Sequence, residues 1–392
     1  MENSTIDKEV ESVRLGKRTD KTRIENKGKK EKPKKRKNGI VSKIFTILFT
    51  LGTIGIIFVL FLLYGPFSGF REWLVTTAMT TMTHQYFATW FYDDTTINYI
   101  LDKNKVVEID ETTDVDAITT GNKKEEVIEY ENEYERAILE RDSKNNDYKI
   151  IEISEKKFDG YLVAVYDPSR VKTLVTANLG KSGQYVTTMA KNNDALIAIN
   201  GGGFDDPNFN STGGSPLGIT VRDGEYVTTK AYGGSGGIIG FTEDDKLVLG
   251  KMTVAQAKEA GIRDAVTFGP FLIVNGKASE VLGNGGWGTA PRTAIAQRQD
   301  GIVLFLVVDG RTASKPGADM DDLIEILQNY GAYNAANLDG GTSSVLVVNN
   351  TIVNDPIDST GAHKTRPIAT GFMVTKDDSD DSDHTVVEDK IN

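Results

Sequence analysis

Residues 302–341, IVLFLVVDGRTASKPGADMDDLIEILQNYGAYNAANLDGG, decide the fold of this chain. The run 302–308 is apolar without polar alternation, which is typical of a strand covered on both faces. A helix pattern follows, with acidic residues in its first turn, a glycine after it and apolar side chains at helical spacing, namely Leu323, Ile326, Leu327 and Tyr330. A second strand ends at Leu338, so the order strand, helix, strand predicts a βαβ unit.

The two strands of this unit are expected to be parallel, because a crossover helix returns the chain to the same end of the sheet. The turns 309–311 (DGR) and 339–341 (DGG) would then leave one edge, where open α/β sheets bind ligands. Asn200 ends another apolar run and joins that edge if its strand is parallel to the others. We predict an α/β to α+β fold with a mixed, partly parallel sheet and flanking helices.

Asp339 and Asp309 are the first candidates for catalytic carboxylates, because each follows a predicted strand at a glycine-containing turn. Glycosyl cleavage needs a carboxylate that guides water or attacks C1, often with a second group as acid. Asp205 lies in a comparable turn, residues 200–205 (NGGGFD), and is the third candidate. The alternative for each aspartate is turn formation alone, since Asp and Gly are both turn residues.

The same turns carry candidates for binding an anionic substrate. Arg292 leads into an apolar strand and Arg311 follows Asp309, and a fixed guanidinium is a bidentate partner for a phosphate. Either arginine could instead pair with a neighbouring aspartate. Backbone N–H groups, hydroxyls and an amide complete the predicted substrate-binding set, which adds Asn200, Gly201, Gly340, Gly341, Ser343 and Ser344.

His363 is the only histidine between residues 147 and 375, and no convincing nucleophilic serine accompanies it, so a Ser-His-Asp triad is not supported. His363 is retained as a candidate substrate-binding residue. Recognised metal and nucleotide motifs are absent from the sequence, and we predict no metal site and no cofactor. Clustered aspartates leave a divalent cation open as an alternative.

Ile44–Leu63 is a run of 20 uncharged, mostly apolar residues, the length of helix that spans a bilayer core. Residues 1–43 carry 15 Lys or Arg against 7 Asp or Glu, which predicts a cytoplasmic N-terminus and an extracellular remainder. A buried core helix and a cleaved signal peptide are the alternatives. The chain has no cysteine, which excludes disulfides and thiolate metal sites.

Composition divides the chain into six segments. They are a basic cytoplasmic tail (1–43), a transmembrane helix (44–63), an aromatic juxtamembrane segment at the membrane interface (64–101), an acidic stalk (102–146), a globular domain (147–375) and a disordered acidic tail (376–392). The net charge is −11 for the chain and −19 beyond residue 43. This charge argues against nucleic acid as a partner, so a phosphate-bearing substrate must be held locally.

Six sequence blocks occur in order along residues 147–375: AINGGGF (198–204), TFGPFLIVNGK (267–277), PRTAIAQRQDG (291–301), VVDGR (307–311), NLDGGTSS (337–344) and TRPIATGFMV (365–374). In order and spacing these blocks resemble the phosphodiester glycosidase family. Asn200, Arg292, Asp309 and Asp339 match residues of the family's motifs. Two positions depart from the family pattern, since Thr342 replaces a usual glycine and Asp205 a usual aromatic residue.

The resemblance implies a hydrolase that cleaves a sugar-1-phosphodiester at the C1–O bond. Asp339 would direct water or act as nucleophile, and Asp309 would position the sugar or share the acid–base chemistry. With the predicted anchor, the expected substrate is a cell-envelope glycopolymer or exopolysaccharide. Two alternatives stay open, a non-catalytic domain that binds an anionic glycan in the same pocket and a structural envelope protein.

Overall fold

The computed structural model describes residues 39–80, 84–121, 129–141, 145–205, 212–376 and 389–390. The chain divides into two compact units, residues 1–59 and residues 60–392. Most of the predicted basic tail (1–43) and most of the acidic tail (376–392) lie outside the described residues.

The first helix, α1, spans Gly39–Tyr64 and contains the predicted transmembrane run 44–63. Among the described residues it is the one helix long and apolar enough to cross a membrane, judged by length and composition. A signal sequence near an N-terminus meets the same criterion. The helix begins five residues before the predicted run, because Lys43 and the residues before it continue the helical backbone.

The remaining helices are short. They are α2 (Ser68–Thr80), α3 (Tyr86–Thr89), α4 (Asp94–Lys103), α5 (Glu133–Leu139), α6 (Val186–Asn192), α7 (Val254–Glu259) and α8 (Met320–Asn329). Capping boxes begin the two helices for which the sequence shows clear start signals: Thr253 with Gln256 for α7, and Asp319 with Asp322 for α8.

The strands are β1 (Val106–Val107), β2 (Tyr148–Ser154), β3 (Asp159–Val165), β4 (Val171–Val175), β5 (Ala195–Asn200), β6 (Ile219–Arg222), β7 (Glu225–Thr229), β8 (Gly237–Thr242), β9 (Leu247–Gly250), β10 (Ile262–Phe268), β11 (Phe271–Val274), β12 (Lys277–Ala278), β13 (Glu280–Val281), β14 (Arg292–Arg298), β15 (Val303–Val308), β16 (Ala332–Asn337), β17 (Leu346–Val348), β18 (Thr351–Ile352), β19 (Thr370–Thr375) and β20 (Asp389–Lys390).

These strands form three larger sheets and one two-stranded pair, β1–β13. The orders are β12-β11-β16-β14-β15-β3-β2-β20, then β18-β17-β5-β19-β4, and then β7-β6-β10-β8-β9. Helices and sheets are therefore mixed, as the predicted α/β to α+β class requires.

The prediction of a partly parallel sheet is wrong for the βαβ unit. β14 lies between β15 and β16 and pairs antiparallel with both, with Arg292 opposite Val308 and Ala294 opposite Asn337. The strand pairs of the three large sheets are antiparallel, apart from the two-residue strand β20 beside β2. Because β15 and β16 are both antiparallel to β14, they run in one direction, and Asp309 and Asp339 still leave the same edge.

Asn200 reaches this edge from a different sheet. Its strand, β5, lies between β17 and β19 and is antiparallel to both. The backbone N–H of Asp339 donates to the carbonyl of Gly201 at 3.0 Å, which joins the end of β5 to the end of β16. The expected meeting of the strand ends therefore occurs at a junction between two sheets.

The uninterrupted apolar run of β15 is explained by two separate cores. Phe305 and its alternate neighbours pack between the sheets, in a core where the rings of Phe241 and Phe372 meet edge to face at 6.2 Å. Leu304 and Leu306 face the opposite side, where α8 contributes Leu323 and Leu327. Both faces of this strand are covered, as the sequence pattern predicts.

The described parts of the predicted acidic stalk (102–146) lie along the domain instead of standing free of it. β1 pairs with β13, Glu108 accepts a hydrogen bond from the N–H of Phe271 at 2.8 Å, and Tyr166 donates to the carbonyl of Ile138 at 2.8 Å. Composition alone indicated a solvated segment because acidic side chains at the surface outnumber the few buried apolar ones. The remaining domain boundaries stay predictions.

The Thr113 side chain gives a direct test of this packing. Its hydroxyl accepts from the N–H of Leu249 at 2.8 Å and donates to the carbonyl of Leu249 at 3.3 Å. We expect Thr113→Val to lower the free energy of unfolding by about 1–3 kcal/mol, because a buried N–H loses its acceptor. Thr112→Val at the exposed neighbouring position is the control. Equal urea midpoints for the two variants would contradict the packing.

Candidate active site

Asn200 holds the backbone of the turn that carries Asp339. Its side chain is fully buried, donates to the carbonyl of Asp339, and accepts from the hydroxyl of Thr293 at 2.7 Å and from the N–H of Val345 at 3.2 Å. The amide thus contacts both ends of the turn and the first residues of β14. The described contacts of Asn200 are with the protein itself, so its expected contact with substrate remains a prediction.

The carboxylate of Asp339 is paired with an arginine that the sequence analysis did not single out. Arg366 donates through Nη2 to Oδ2 of Asp339 at 3.1 Å and through Nε to the hydroxyl of Ser343 at 2.8 Å. Its guanidinium lies 4.6 Å from the centroid of the Phe204 ring, in a cation–π arrangement. The signal available in the sequence was the position of Arg366 inside the last of the six blocks.

Glycines let the arginines approach the turn after Asp339. Gly341 has a φ of +65° and begins a 3-10 turn, Gly341–Ser343. A Cβ at residue 341 would lie 2.8 Å from Nη2 of Arg311, and one at residue 340 would lie 2.9 Å from the carbonyl of Pro291. Side chains at either position would therefore displace the backbone or a guanidinium group.

The serines of the turn lie inside it. Ser343 and Ser344 are each 1% exposed. The hydroxyl of Ser343 accepts from Arg366, whereas the carbonyl of Ser344 accepts from Nδ2 of Asn354 at 3.3 Å. Their described contacts fix the shape of the turn, and the expectation that they bind substrate remains a prediction.

Arg292 is buried and is held by backbone carbonyls. Nη2 donates to Trp287 and Gly288, both at 2.6 Å, and Nε donates to Ala318 at 3.2 Å. Burial lowers the pKa of Arg292 to about 10, with partial compensation from Asp319. Nη1 lies 3.5 Å from the position of a Cβ at residue 340, so the guanidinium reaches the turn. These hydrogen bonds of Arg292 go to backbone carbonyls and not to an aspartate. They therefore do not support the alternative that Arg292 pairs with a neighbouring aspartate.

Arg311 explains the presence of Thr342 where a glycine was expected. Nη1 of Arg311 donates to the hydroxyl of Thr342 at 2.7 Å and to the carbonyl of Ile357 at 2.8 Å. Burial lowers the pKa of Arg311, and the positive charge of Arg366 lowers it further. Two guanidinium groups therefore repel each other beside the turn, and Thr342 holds one of them in place.

Asp309 is partly buried and anchors the loop after β18. One carboxylate oxygen accepts from Nδ2 of Asn354 at 2.8 Å, and the other accepts from the N–H of Asp355 at 3.0 Å. Burial raises the pKa of Asp309, and these two hydrogen bonds offset part of the increase. Because Asn354 also contacts Ser344, a chain of hydrogen bonds links Asp309 to the turn of Asp339.

His363 and Asp205 have exposed side chains. His363 is exposed, and its Nδ1 lies 2.6 Å from a carboxylate oxygen of Asp355, next to Asp309. Asp205 is exposed, and among the described residues no hydrogen bond or ion pair joins it to Asp339 or Asp309. Residues 206–211, which follow it, are outside the described part of the chain. The described residues contain no group of three or more His, Asp or Glu that could hold a metal ion.

Residues 193–375 match the family model described as phosphodiester glycosidase. The domain resembles this family. The match contains the six blocks and the turns that carry Asp309 and Asp339, and the resemblance expected from the sequence is confirmed.

Curated relatives agree with the family model. A mouse N-acetylglucosamine-1-phosphodiester alpha-N-acetylglucosaminidase is 25% identical over 225 residues, which are 51% of this chain and 41% of that protein. The SPbeta prophage-derived uncharacterized protein YomE of Bacillus subtilis is 28% identical over 182 residues, 44% of this chain and 27% of that protein. The chain thus covers less than half the length of these relatives. The mouse protein is named as a glycosidase of a phosphodiester, the enzyme class expected from the sequence.

A solved structure is also similar. It is the catalytic domain of zebrafish N-acetylglucosamine-1-phosphodiester alpha-N-acetylglucosaminidase, auto-inhibited by its pro-peptide. The sequence identity is 24% and the TM-score is 0.49, over 59% of this chain and 83% of that one.

The raised pKa of Asp309 predicts a change of stability with pH. The folded protein binds this proton more tightly than the unfolded chain, whose aspartates have a pKa of about 3.9. Protonation of Asp309 therefore stabilises the folded state fully below a pH of about 3.9. This stabilisation is lost as the pH rises through the raised pKa of Asp309 in the folded protein. Compared with the wild type, Asp309→Asn should gain in free energy of unfolding between about pH 4 and 7. Urea unfolding in detergent across that range measures the difference, and a constant difference would contradict it.

Proposed function

We propose that the chain is a hydrolase that cleaves a sugar-1-phosphodiester at the C1–O bond. The observation that carries the proposal is the approach of three guanidinium groups to the turn 339–344. Arg366 contacts Asp339 and Ser343, Arg311 contacts Thr342, and Arg292 reaches Gly340. Against these cations the turn itself supplies one carboxylate, so a bound phosphodiester would relieve repulsion between Arg311 and Arg366.

The chemistry follows from the charges. The leaving group is a phosphate monoester, which is a good leaving group, and fixed guanidinium and N–H groups stabilise the charge that develops on its oxygens. Asp339 either directs a water molecule to C1 and accepts its proton or attacks C1 itself. In both cases the C1–O bond to the phosphate breaks and a phosphate monoester leaves. When water attacks, free sugar is released directly; when Asp339 attacks, free sugar is released after water hydrolyses the bond between C1 and the Asp339 carboxylate. Asp309, whose pKa is raised by burial, shares the acid–base work.

We further propose that the enzyme is anchored in the cell membrane by α1 and acts outside the cell on a cell-envelope glycopolymer or exopolysaccharide. The length of α1 and the basic residues before it support this orientation. The exposed rings of the juxtamembrane segment, among them Trp90 at 72% exposure, are typical of a membrane interface. The acidic remainder of the chain fits a site that binds anions only at its own arginines.

A non-catalytic domain that binds an anionic glycan is the second candidate. It is favoured by the contacts of both carboxylates, since Asp339 is paired with Arg366 and both oxygens of Asp309 accept hydrogen bonds. In that case the same arginines would bind a sugar phosphate without turnover.

Release of free sugar from a methyl N-acetylglucosamine-1-phosphodiester by the full chain in detergent tests the hydrolase. We expect Asp339→Asn to lower kcat about 100-fold or more, because the group that acts on water or C1 is lost. Asp300→Asn is the matched control, since Asp300 is an exposed aspartate at the other end of the β14–β15 hairpin, paired with Arg298. Equal rates for Asp339→Asn and the wild type would overturn the assignment. Binding without turnover, lost in Arg292→Ala, would establish the second candidate.

Membrane anchoring is tested separately by extraction with alkaline carbonate. We expect the full chain to stay with the membrane pellet, because a helix of 26 residues, Gly39–Tyr64, spans the bilayer. Deletion of residues 44–63 should release it. Protease added outside intact cells should digest the domain and leave the N-terminal tail. Recovery of a mature chain that begins after α1 would instead identify a signal sequence.

A further inference from the structure

The loop of residues 283–288 (GNGGWG) determines where the guanidinium of Arg292 lies. The carbonyls of Trp287 and Gly288 both accept from Nη2 at 2.6 Å, whereas the third bond, to Ala318, is longer at 3.2 Å. Two of the three hydrogen bonds of this buried cation therefore come from one loop. A shift of the loop backbone would move or release the guanidinium.

Two side chains connect the loop to the rest of the protein: Trp287 packs with its ring 6.1 Å from that of Phe268, and Asn284 makes the side-chain hydrogen bonds of the loop. Four of the six loop residues are glycines and have no side chain to hold them. Asn284 accepts from the N–H of Gly286 at 3.0 Å and donates through Nδ2 to the hydroxyl of Thr76 at 2.8 Å. Its own N–H donates to Oδ1 of Asn104 at 3.0 Å.

Thr76 belongs to the juxtamembrane segment and Asn104 to the start of the predicted acidic stalk, and both lie outside residues 193–375, which the family model matches. Thr76 is in α2 and fully buried, and Asn104 follows α4 and is 2% exposed. Nδ2 of Asn104 donates to the carbonyl of Ile100 at 2.9 Å, which fixes its orientation. The helices share a small core of their own, formed by Val75, Ala78, Ala88, Ile97 and Ile100.

Residues 105–107, which follow Asn104, also hold the chain immediately before the loop. β1, which follows Asn104, pairs antiparallel with β13, and the N–H of Leu282 donates to the carbonyl of Lys105 at 2.9 Å. Backbone pairing before the loop and side-chain hydrogen bonds within it therefore both come from residues 76–107.

We propose that Thr76 and Asn104 are positioning residues for Arg292, so that the juxtamembrane helices are part of the candidate active site. The proposal rests on the role of Arg292 in binding the phosphate of the substrate. It follows that a fragment beginning at residue 147 retains Asp309 and Asp339 but loses the support of the guanidinium. Affinity for the phosphodiester then falls although both carboxylates are present.

Substitutions at Thr76 in the full chain test the proposal. Thr76→Val keeps the shape of the side chain and removes the acceptor of Asn284, whereas Thr76→Ser keeps the hydroxyl. Thr80→Val is the matched control, because the described hydrogen bonds of the Thr80 hydroxyl, in the same helix, go to the carbonyls of Thr76 and Thr77. In Thr76→Val we expect faster amide hydrogen exchange in peptides covering residues 282–292, with wild-type exchange in the other two variants.

The kinetic expectation is a rise in KM of about three- to tenfold for Thr76→Val with little change in kcat, since Arg292 binds the substrate and does not react. Thr76→Ser should restore the wild-type KM. If the wild type shows no turnover, the variants are compared by their affinity for N-acetylglucosamine 1-phosphate, measured by calorimetry, instead of by KM.

The outcomes separate this proposal from the proposed function. Unchanged exchange at residues 282–292 in Thr76→Val overturns the positioning role, whether or not the chain hydrolyses the substrate. Faster exchange with unchanged KM and unchanged affinity overturns it as well, because the loop then moves without consequence for the substrate. Lack of both turnover and binding in the wild type overturns the proposed function. The comparison of hydrogen exchange then still tests whether Thr76 holds the loop in place.

Discussion

The buried amide of Asn200 is the contact on which the candidate active site depends. It donates to the backbone of Asp339 and accepts from Thr293 and Val345, so one side chain joins β5, β14 and both ends of the turn. A buried amide without these partners would cost about 1–3 kcal/mol for each group left unpaired. The two sheets therefore meet at this point, and the carboxylate of Asp339 is presented at their junction.

Two arginines, the buried Arg292 and the half-buried Arg311, lie close to that junction. Burial lowers the pKa of both Arg292 and Arg311, which means that the protein holds these cations at a cost in solvation. Carbonyls and the Thr342 hydroxyl accept the hydrogen bonds of these cations, and the negative charges of Asp319 and Asp358 offset part of the decrease in the pKa of Arg292 and Arg311, respectively. An anionic group bound between the arginines would add to this compensation, and this expectation supports the proposal of a phosphodiester substrate over a neutral glycan.

Several parts of this arrangement were predictable from local patterns. The unbroken apolar run of β15 predicted a strand covered on both faces, and the spacing of apolar residues in α8 predicted its helix. Both patterns report which faces of an element are buried. The strand that lies beside β15 was not predictable in this way, because β14 forms a hairpin with β15 and lies between the two strands of the predicted βαβ unit. Arg366 was overlooked for a similar reason, since its partner lies 27 residues away.

The sequence by itself determined the family resemblance, the direction of β15 and β16, and the placement of Asp309 and Asp339 at one edge. These follow from periodicity and turn residues, which act over a few positions of the chain. Only the tertiary structure decided that the edge is a junction of antiparallel sheets, that Thr342 holds Arg311, and that residues 102–120 pack on the domain. Those outcomes depend on which distant groups satisfy each buried charge and N–H, and local sequence patterns do not contain that information.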